Sequence, residues 1–216
     1  MDAISLCVSN YLNWQIKLEN RFKNDIGNDC LITIDGTDCP INEPRPFDKA
    51  YYSHKSNGPA MRYEVGVSIL GGDIVWVNGP FRAGANPDLV IFKNMLMHLL
   101  EPHERVEADN GYIALDPSHC KTPKGHRASY CEHTEERMKK VASVARARQE
   151  TANSRLKAFN ILRSFRHDVR KHGTVFKAVV TLVQLSIMTD SPLFQVSSEH
   201  YNDSLDILEW EQRQGE

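Results

Sequence analysis

Three acidic residues that lie far apart in the chain have the types and positions needed to hold divalent metal ions. Asp35 follows a β-branched apolar run, Asp109 follows a second short run, and Glu150 lies in a long helical stretch. Carboxylates are hard oxygen ligands, which Mg²⁺ and Mn²⁺ take while keeping waters and phosphate oxygens in their shell. Two such ions about 3.5–4 Å apart activate water or a 3′-hydroxyl and stabilise the leaving oxygen of a phosphodiester. The set therefore predicts nuclease or strand-transfer chemistry.

Each of these acids also has an ordinary structural explanation. Asp35 stands just before Gly36, and Asp109 begins the sequence Asp109-Asn110-Gly111; both arrangements are typical of turns. Glu150 has Arg146 one helical turn before it, which is the spacing of a surface ion pair. Spacing alone also leaves open whether a neighbouring acid takes the place of a ligand: Asp38 for Asp35, or Glu107 for Asp109.

The strands that would position the acids follow from short apolar runs. Such runs predict strands at 31–34, 63–70, 74–78 and 105–109, with the middle two joined through the turn Gly71-Gly72-Asp73. The first strand is predicted to end on Asp35 and the fourth on Asp109. If these two strands lie side by side, the two carboxylates come within a few ångströms of each other at adjacent strand ends.

Helices are predicted where apolar residues recur at helical spacing. These stretches run from about 89 to 99, from about 135 to 165, and from 176 to 188, and a short helix is predicted within 1–29. The second helix carries Glu150, so packing across the sheet would bring this residue above the two strand ends. The Pro-rich stretch 39–60 is predicted to be a structured loop, since a connection this long usually has a function.

Composition restricts the class of protein. The chain has 216 residues, 41% of them hydrophobic, which predicts one principal domain. No run approaches the ~18 apolar residues of a membrane span, and the N-terminus lacks the pattern of a signal peptide. The five cysteines are scattered and odd in number, which argues against a disulfide framework and predicts a reducing, intracellular compartment.

Charge is polarised along the chain although the formal net charge is only −2. Residues 121–177 contain 15 Lys or Arg and 5 Asp or Glu, whereas the remainder contains 11 and 23. A basic block of this kind suits a polyanionic partner, because Lys and Arg that neutralise phosphates release counterions. The alternative is a solvated helix surface, and charge by itself favours that explanation.

A series of short motifs, taken in order, resembles the DDE superfamily endonuclease domain of eukaryotic transposases, with the Harbinger-like group as the nearest match. The resemblance covers about 31–196, most of the chain, and an ordered series is far more specific than any one acid. The motifs are IDGTD at 34–38, YSHK at 52–55, GP at 58–59, RYEVG at 62–66, GPF at 79–81, EADNGY at 107–112 and RQETANSRLK at 148–157.

The resemblance implies a ribonuclease H-like α/β fold, with a mixed central β-sheet flanked by α-helices. It also implies that Asp35, Asp109 and Glu150 are catalytic and hold two Mg²⁺ or Mn²⁺ ions. DNA would be the substrate, the nucleus the location, and a homodimer a possible assembly. Polar residues of the long helix would contact phosphates: Arg146, Arg148, Asn153, Arg155 and Lys157. Lys55, in the Pro-bracketed loop, would touch a phosphate as well; the alternative for this loop is that its tyrosines, Tyr51 and Tyr52, pack against the sheet edge.

One feature departs from the pattern of this group, whose transposases carry a helix-turn-helix module or use a separate DNA-binding partner protein. Only about 30 residues precede the first predicted strand. We therefore expect a helical lead-in at 1–30, the endonuclease domain at 31–196 and an acidic tail at 197–216. Two functions stay open: an active metal-dependent DNA endonuclease, or a catalytically silent, truncated or domesticated remnant that binds DNA or a protein.

A cluster of histidines and cysteines between 119 and 133 suggests zinc at first sight. It contains no CxxC pair, and its spacings do not match the usual structural zinc modules. A basic loop beside the active site is the favoured interpretation. The residues concerned are His119, Cys120, His126, Cys131 and His133.

Overall fold

A central sheet of six strands carries the predicted site. The computed structural model describes residues 16–23, 30–115, 118–122 and 132–196, with side chains from residue 140 onward in the last range. The strands are β1 (Cys30–Pro40), β2 (Tyr52–Ser53), β3 (Gly58–Ser68), β4 (Ile74–Arg82), β5 (Arg105–Ala108) and β6 (Cys120–Lys121). The α-helices are α1 (Asp88–Asn94), α2 (Glu132–Lys157), α3 (Asn160–Arg163) and α4 (His172–Thr189).

The sheet is mixed, and β1 lies at its centre. β1 pairs antiparallel with β3 on one side and parallel with β5 on the other. β3 pairs antiparallel with β4 and, at its first residues, with β2, whereas β5 pairs parallel with β6. The prediction of an α/β fold with a mixed central sheet is confirmed, and so is the hairpin formed by β3 and β4.

Helices cover both faces of the sheet because side chains alternate along β1. On one face, Val65 and Val67 of β3 pack with Leu156 of α2 and with α4. On the other face, Ile32 and Ile34 pack with Phe92 of α1 and with the helical turn that contains Tyr112. Both faces of β1 are thus covered, which excludes water from the strand that carries the first predicted acid.

β1 is longer than the sequence pattern predicts. The apolar run ends at residue 34, but pairing with β3 continues as far as Pro40 opposite Ala60. The polar side chain of Asp38 is tolerated in the sheet because Arg62 on the paired strand neutralises it. The prediction that the first strand ends at Asp35 is therefore wrong, since Asp35 lies in the middle of β1.

The long basic helix is shorter than predicted. α2 ends at Lys157, and Phe159 has an extended backbone, so the predicted helix to 165 is wrong at its C-terminal end. The chain turns there because Phe165 pairs with the end of β1: its N–H donates to the carbonyl of Pro40, and its own carbonyl accepts from the N–H of Asn42. α3 fits into the eight-residue interval between these two points.

Several predictions concern residues at the edges of the described ranges. Within 16–23, a short 3₁₀-helix (Leu18–Phe22) is held by a buried ion pair between Arg21 and Glu104. Most of the predicted lead-in and the whole predicted tail lie outside the described residues. The side chains of Cys30, Cys39 and Cys120 are buried. In the described ranges, no helix is both long enough and apolar enough to span a bilayer.

Candidate active site

The pairing of β1 with β5 brings two of the three predicted acids to adjacent strands. Ile34 is the register partner of Ala108, so Asp35 and Asp109 each come one residue after a paired position. The backbone of Asp109 is still extended, with φ −77° and ψ −179°. Because side chains alternate along extended chains, both acids are on the face that α2 covers, opposite to Ile34 and Ala108.

The helix α2 approaches this face with one stripe of polar residues at helical spacing. Near one end of the stripe, the amide Nδ2 of Asn153 donates to Oδ2 of Asp35 at 2.7 Å. At the other end, the guanidinium of Arg146 pairs with the carboxylate of Glu107 on β5. Glu150 lies on the same stripe between these two contacts, with an exposed side chain. The third predicted acid is therefore placed on the helix face above the two aspartates.

The carboxyl of Asp35 is only partly accessible, with 26% of its side chain exposed. Burial raises its pKa from the ordinary 3.8 to about 6; Lys55 opposes this shift, and Asp109 and Asp88 reinforce it. The ammonium of Lys55 stands 3.9 Å from Oδ1 of Asp35. A partly buried carboxylate at this position is stabilised in its charged form by a nearby cation. A carboxylate that binds a metal ion is stabilised in the same way.

The raised pKa makes a prediction about stability in the absence of metal. Asp35→Asn removes the titrating group, so the variant should be more stable than the wild type at pH 8. The expected difference in free energy of unfolding is up to about 3 kcal/mol, because the folded-state pKa lies above the unfolded one. The folded wild type binds the extra proton at low pH, so its stability relative to the variant falls as pH rises from about 4 through about 6. Urea unfolding with EDTA across this window measures the difference.

The same two proteins provide the control for this prediction. Every other titrating group is present in both, so the pH dependence of their difference reports on Asp35 and on the charged groups coupled to it, chiefly Lys55, Asp109 and Asp88. A difference that stays constant from pH 4 to pH 8 would mean that the carboxyl titrates at its ordinary value.

Asp88, at the first position of α1, is a site residue that the sequence analysis missed. Its Oδ2 lies 3.1 Å from the ammonium of Lys55, and its Oδ1 lies 3.3 Å from Nε of Arg62. The close approach requires Gly36, because a Cβ there would stand 1.8 Å from Oδ1 of Asp88. Only the fold brings Asp88 to Gly36, 52 residues earlier, and the local sequence offered no signal beyond a helix start after a proline.

The two alternative ligands of the sequence analysis are engaged elsewhere. Asp38 accepts from Nε and Nη2 of Arg62 at 2.6 and 2.8 Å and from the hydroxyl of Ser53. Burial favours a higher pKa for Asp38, but these hydrogen bonds hold it below its ordinary value. Burial raises the pKa of Glu107 to about 7, even though Arg146 opposes the shift. Both acids are buried in ion pairs, which favours Asp35 and Asp109 as the groups free to bind a ligand.

The predicted phosphate contacts of α2 divide into two groups. Arg148 is 1% exposed and donates to the carbonyls of Ile69 and Phe194, so the prediction that it contacts DNA is wrong. Arg155 donates to the carbonyls of Ser191 and Pro192, which ties its guanidinium to the segment after α4. The remaining predicted cations keep part of their side chains in solvent: Lys55, Arg146 and Lys157.

The donor set near Asp35 has the chemistry that a hard divalent cation requires. Asp35, Asp109 and Glu150 offer only carboxylate oxygens, and the buried Oδ1 of Asn153 has no hydrogen-bond partner among the described residues. In the described ranges, however, no three such side chains are already close enough to form a metal cluster. The chemistry of these side chains fits a magnesium or manganese site, and Glu150, on the exposed stripe of α2, is the candidate third ligand.

Most of the candidate zinc ligands lie outside the described residues. His119 and Cys120 are described, and Cys120 is buried with a pKa that burial raises to about 12. Without a bound metal ion this thiol is therefore protonated at neutral pH. His126, Cys131 and the side chain of His133 lie outside the described residues.

Residues 34–184 match the family described as DDE superfamily endonuclease, and this interval covers more than half of the chain. The chain belongs to the DDE superfamily endonucleases. The matched interval of this DDE endonuclease domain contains Asp35, Asp109 and Glu150 and runs from β1 into α4. The superfamily is thus confirmed, whereas the Harbinger-like subgroup stays a prediction. No curated protein and no solved structure matches the sequence.

Proposed function

We propose that this DDE endonuclease domain hydrolyses phosphodiester bonds of DNA, with Asp35, Asp109 and Glu150 holding two Mg²⁺ or Mn²⁺ ions. The observation that carries the proposal is the parallel register of β1 and β5, which puts Asp35 and Asp109 on one face beneath the Glu150 stripe of α2. Strand transfer by a freed 3′-hydroxyl would use the same site. We place this activity in the nucleus, where a DNA substrate of this kind resides.

The residues of the chain have distinct roles in this mechanism. Asp35 and Asp109 are carboxylate ligands on the sheet, and Glu150 completes the set from α2. Asn153 orients Asp35 by donating to Oδ2, which leaves Oδ1 directed towards the Lys55 side. Bound divalent ions would supply Lewis-acid activation of water and neutralise the charge that develops on the phosphate.

Lys55 supplies a positive charge at this site. Its ammonium contacts the carbonyl of Gly36 at 3.1 Å as well as Asp88, yet 47% of its side chain is exposed. Burial alone would lower its pKa, but Asp88 and Asp35 raise it above the ordinary value, so Lys55 stays charged. A charged, exposed side chain that touches Asp35 can turn towards a phosphate when DNA arrives.

Metal binding tests the proposal without knowledge of the DNA sequence. Wild type is expected to bind Mn²⁺ saturably, with up to two ions, and Asp109→Ala is expected to bind at least about 10-fold more weakly because a carboxylate ligand is lost. Titration calorimetry measures both. Asp190→Ala is the matched control, because Asp190 is an exposed acid at the end of α4 and is not one of the proposed ligands.

The outcome also separates the proposal from its main rival, a catalytically silent descendant that binds DNA or a protein. Equally weak Mn²⁺ binding by the wild type, Asp109→Ala and Asp190→Ala would favour the silent descendant. The intact Asp35, Asp109 and Glu150 favour the active enzyme, because nothing maintains such a set once activity is lost. A separate DNA-binding partner protein and a homodimer belong to the same proposal, since either would add further DNA contacts.

A further inference from the structure

A cavity of about 270 Å³ lies next to Asp35 but outside the predicted set of metal ligands. Its walls come from four elements: the end of β1, the turn between β2 and β3, the end of α2, and α3. The lining residues are Asp38, Pro40, Lys55, Ser56, Lys157, Leu162 and Arg163. This volume lies just below the ~300–1,000 Å³ of pockets that enclose small-molecule ligands. It exceeds what a single ion needs.

The cavity is positively charged. Lys55, Lys157 and Arg163 line it, and within the described part of the chain no carboxylate lies within 4 Å of Lys157 or Arg163. The only acid in the wall is Asp38, whose charge Arg62 already neutralises through two hydrogen bonds. Cations without partners in a concave site attract an anion, because field lines concentrate between walls of low dielectric constant.

The position of Arg163 is set by the fold. α3 is held between the end of α2 and Phe165, which bonds to Pro40 at the end of β1. Leu162, the neighbour of Arg163, is fully buried in the core and anchors the short helix. Arg163 itself is exposed, so its charge is available at the mouth of a rigidly built cavity.

Lys55 connects the cavity with the candidate active site. It lines the cavity, and its ammonium also stands 3.9 Å from Asp35. An anion in the cavity and a phosphate at Asp35 would therefore both lie next to Lys55, as two neighbouring phosphates of one strand would. The apolar side chains of Pro40 and Leu162 give the same cavity a surface on which a sugar can pack.

We propose that this cavity binds the backbone phosphate and sugar of a nucleic-acid strand next to the phosphate that is cut, with Arg163 and Lys157 as the phosphate-binding residues. The inference rests on the proposed function for the position of the cut phosphate. It adds a phosphate-binding subsite. It also adds Arg163 as a DNA contact, and this residue is neither one of the three acids nor part of α2.

DNA binding without metal tests the subsite. Wild type, Arg163→Ala, Lys157→Ala and the control Arg166→Ala are titrated with a labelled duplex in EDTA, with fluorescence anisotropy as the readout. Arg166 is an exposed arginine three residues after Arg163 that does not line the cavity. Over about 50–200 mM salt, Arg163→Ala and Lys157→Ala should each weaken binding several-fold and reduce the salt slope by about 0.9. Arg166→Ala should bind like wild type.

Two results would overturn the subsite and leave the proposed function in place. The first is equal DNA affinity and salt slope for Arg163→Ala and Arg166→Ala in a chain whose wild type cleaves DNA with Mn²⁺. The second is loss of affinity only in Lys157→Ala, which would restrict the contact to α2. Conversely, loss of affinity in Arg163→Ala in a chain that never cleaves would support the subsite and contradict the endonuclease proposal.

Discussion

Asp35→Asn is expected to reduce metal-dependent DNA cleavage by at least about 10³-fold, because a lost ligand removes several kcal/mol of transition-state stabilisation. The neutral amide keeps the size of the side chain and can still accept the hydrogen bond from Asn153. Nicking of supercoiled plasmid in Mn²⁺ measures the effect. DNA affinity in EDTA should stay within a few-fold of wild type, since phosphate contacts come from cations.

The control for this experiment is Asp190→Asn, which makes the same chemical change in an exposed acid outside the site. It should cleave at the wild-type rate. Metal-dependent cleavage by Asp35→Asn at a rate near that of Asp190→Asn would contradict the assignment of Asp35. The expected gain in stability of Asp35→Asn at pH 8 shows independently that a loss of cleavage is not a loss of folding.

Arg148→Ala is expected to lower the free energy of unfolding by about 4 kcal/mol, because the guanidinium holds two separate segments together and hydrogen bonds from a charged group contribute about 1.5–3 kcal/mol each. Nε donates to the carbonyl of Phe194 at 2.8 Å, and Nη1 donates to the carbonyl of Ile69 at 2.7 Å. Removal leaves the buried carbonyl of Ile69 and the partly buried carbonyl of Phe194 without these donors, and it leaves a cavity in the core. Urea unfolding at pH 7 measures the change.

Arg155→Ala provides the comparison, because Arg155 lies two helical turns further along α2 and also donates to carbonyls, those of Ser191 and Pro192. Its contacts are at the surface, where water replaces a lost donor, so about 1 kcal/mol is expected. If Arg148→Ala were as stable as Arg155→Ala, the buried guanidinium would not be the link between the hairpin of β3 and β4 and the segment after α4.

Much of the site could be predicted because the positions of Asp35 and Asp109 follow from local patterns. Short β-branched runs located the two strands, and their pairing follows once both are buried in one sheet. The ordered motifs then indicated the superfamily, which the match over residues 34–184 confirms. Glu150 was placed on the correct helix because its neighbours recur at helical spacing.

The remaining features depend on contacts between distant segments, which local patterns do not contain. Arg148 has the same charge and helical environment as Arg146, yet one is buried against Ile69 while the other is bound to Glu107. A helical stripe distinguishes these two residues only when the neighbours of each face are known. Asp88 was missed for the same reason, since its closeness to Gly36 arises from the turn of the chain after β4.

The length of β1 determines which of the two aspartates, Asp35 or Asp109, can be displaced more easily. Asp35 lies in the middle of a strand that is hydrogen-bonded on both sides, so its backbone is mechanically stiff. Asp109 lies just beyond the last residue of β5, where its side chain accepts from the N–H of Gly111 within a single helical turn. The carboxylate of Asp35 is thus attached to a stiff strand, whereas that of Asp109 is attached to a more easily deformed turn. A change in the separation of the two carboxylates would therefore be accommodated by displacement of Asp109.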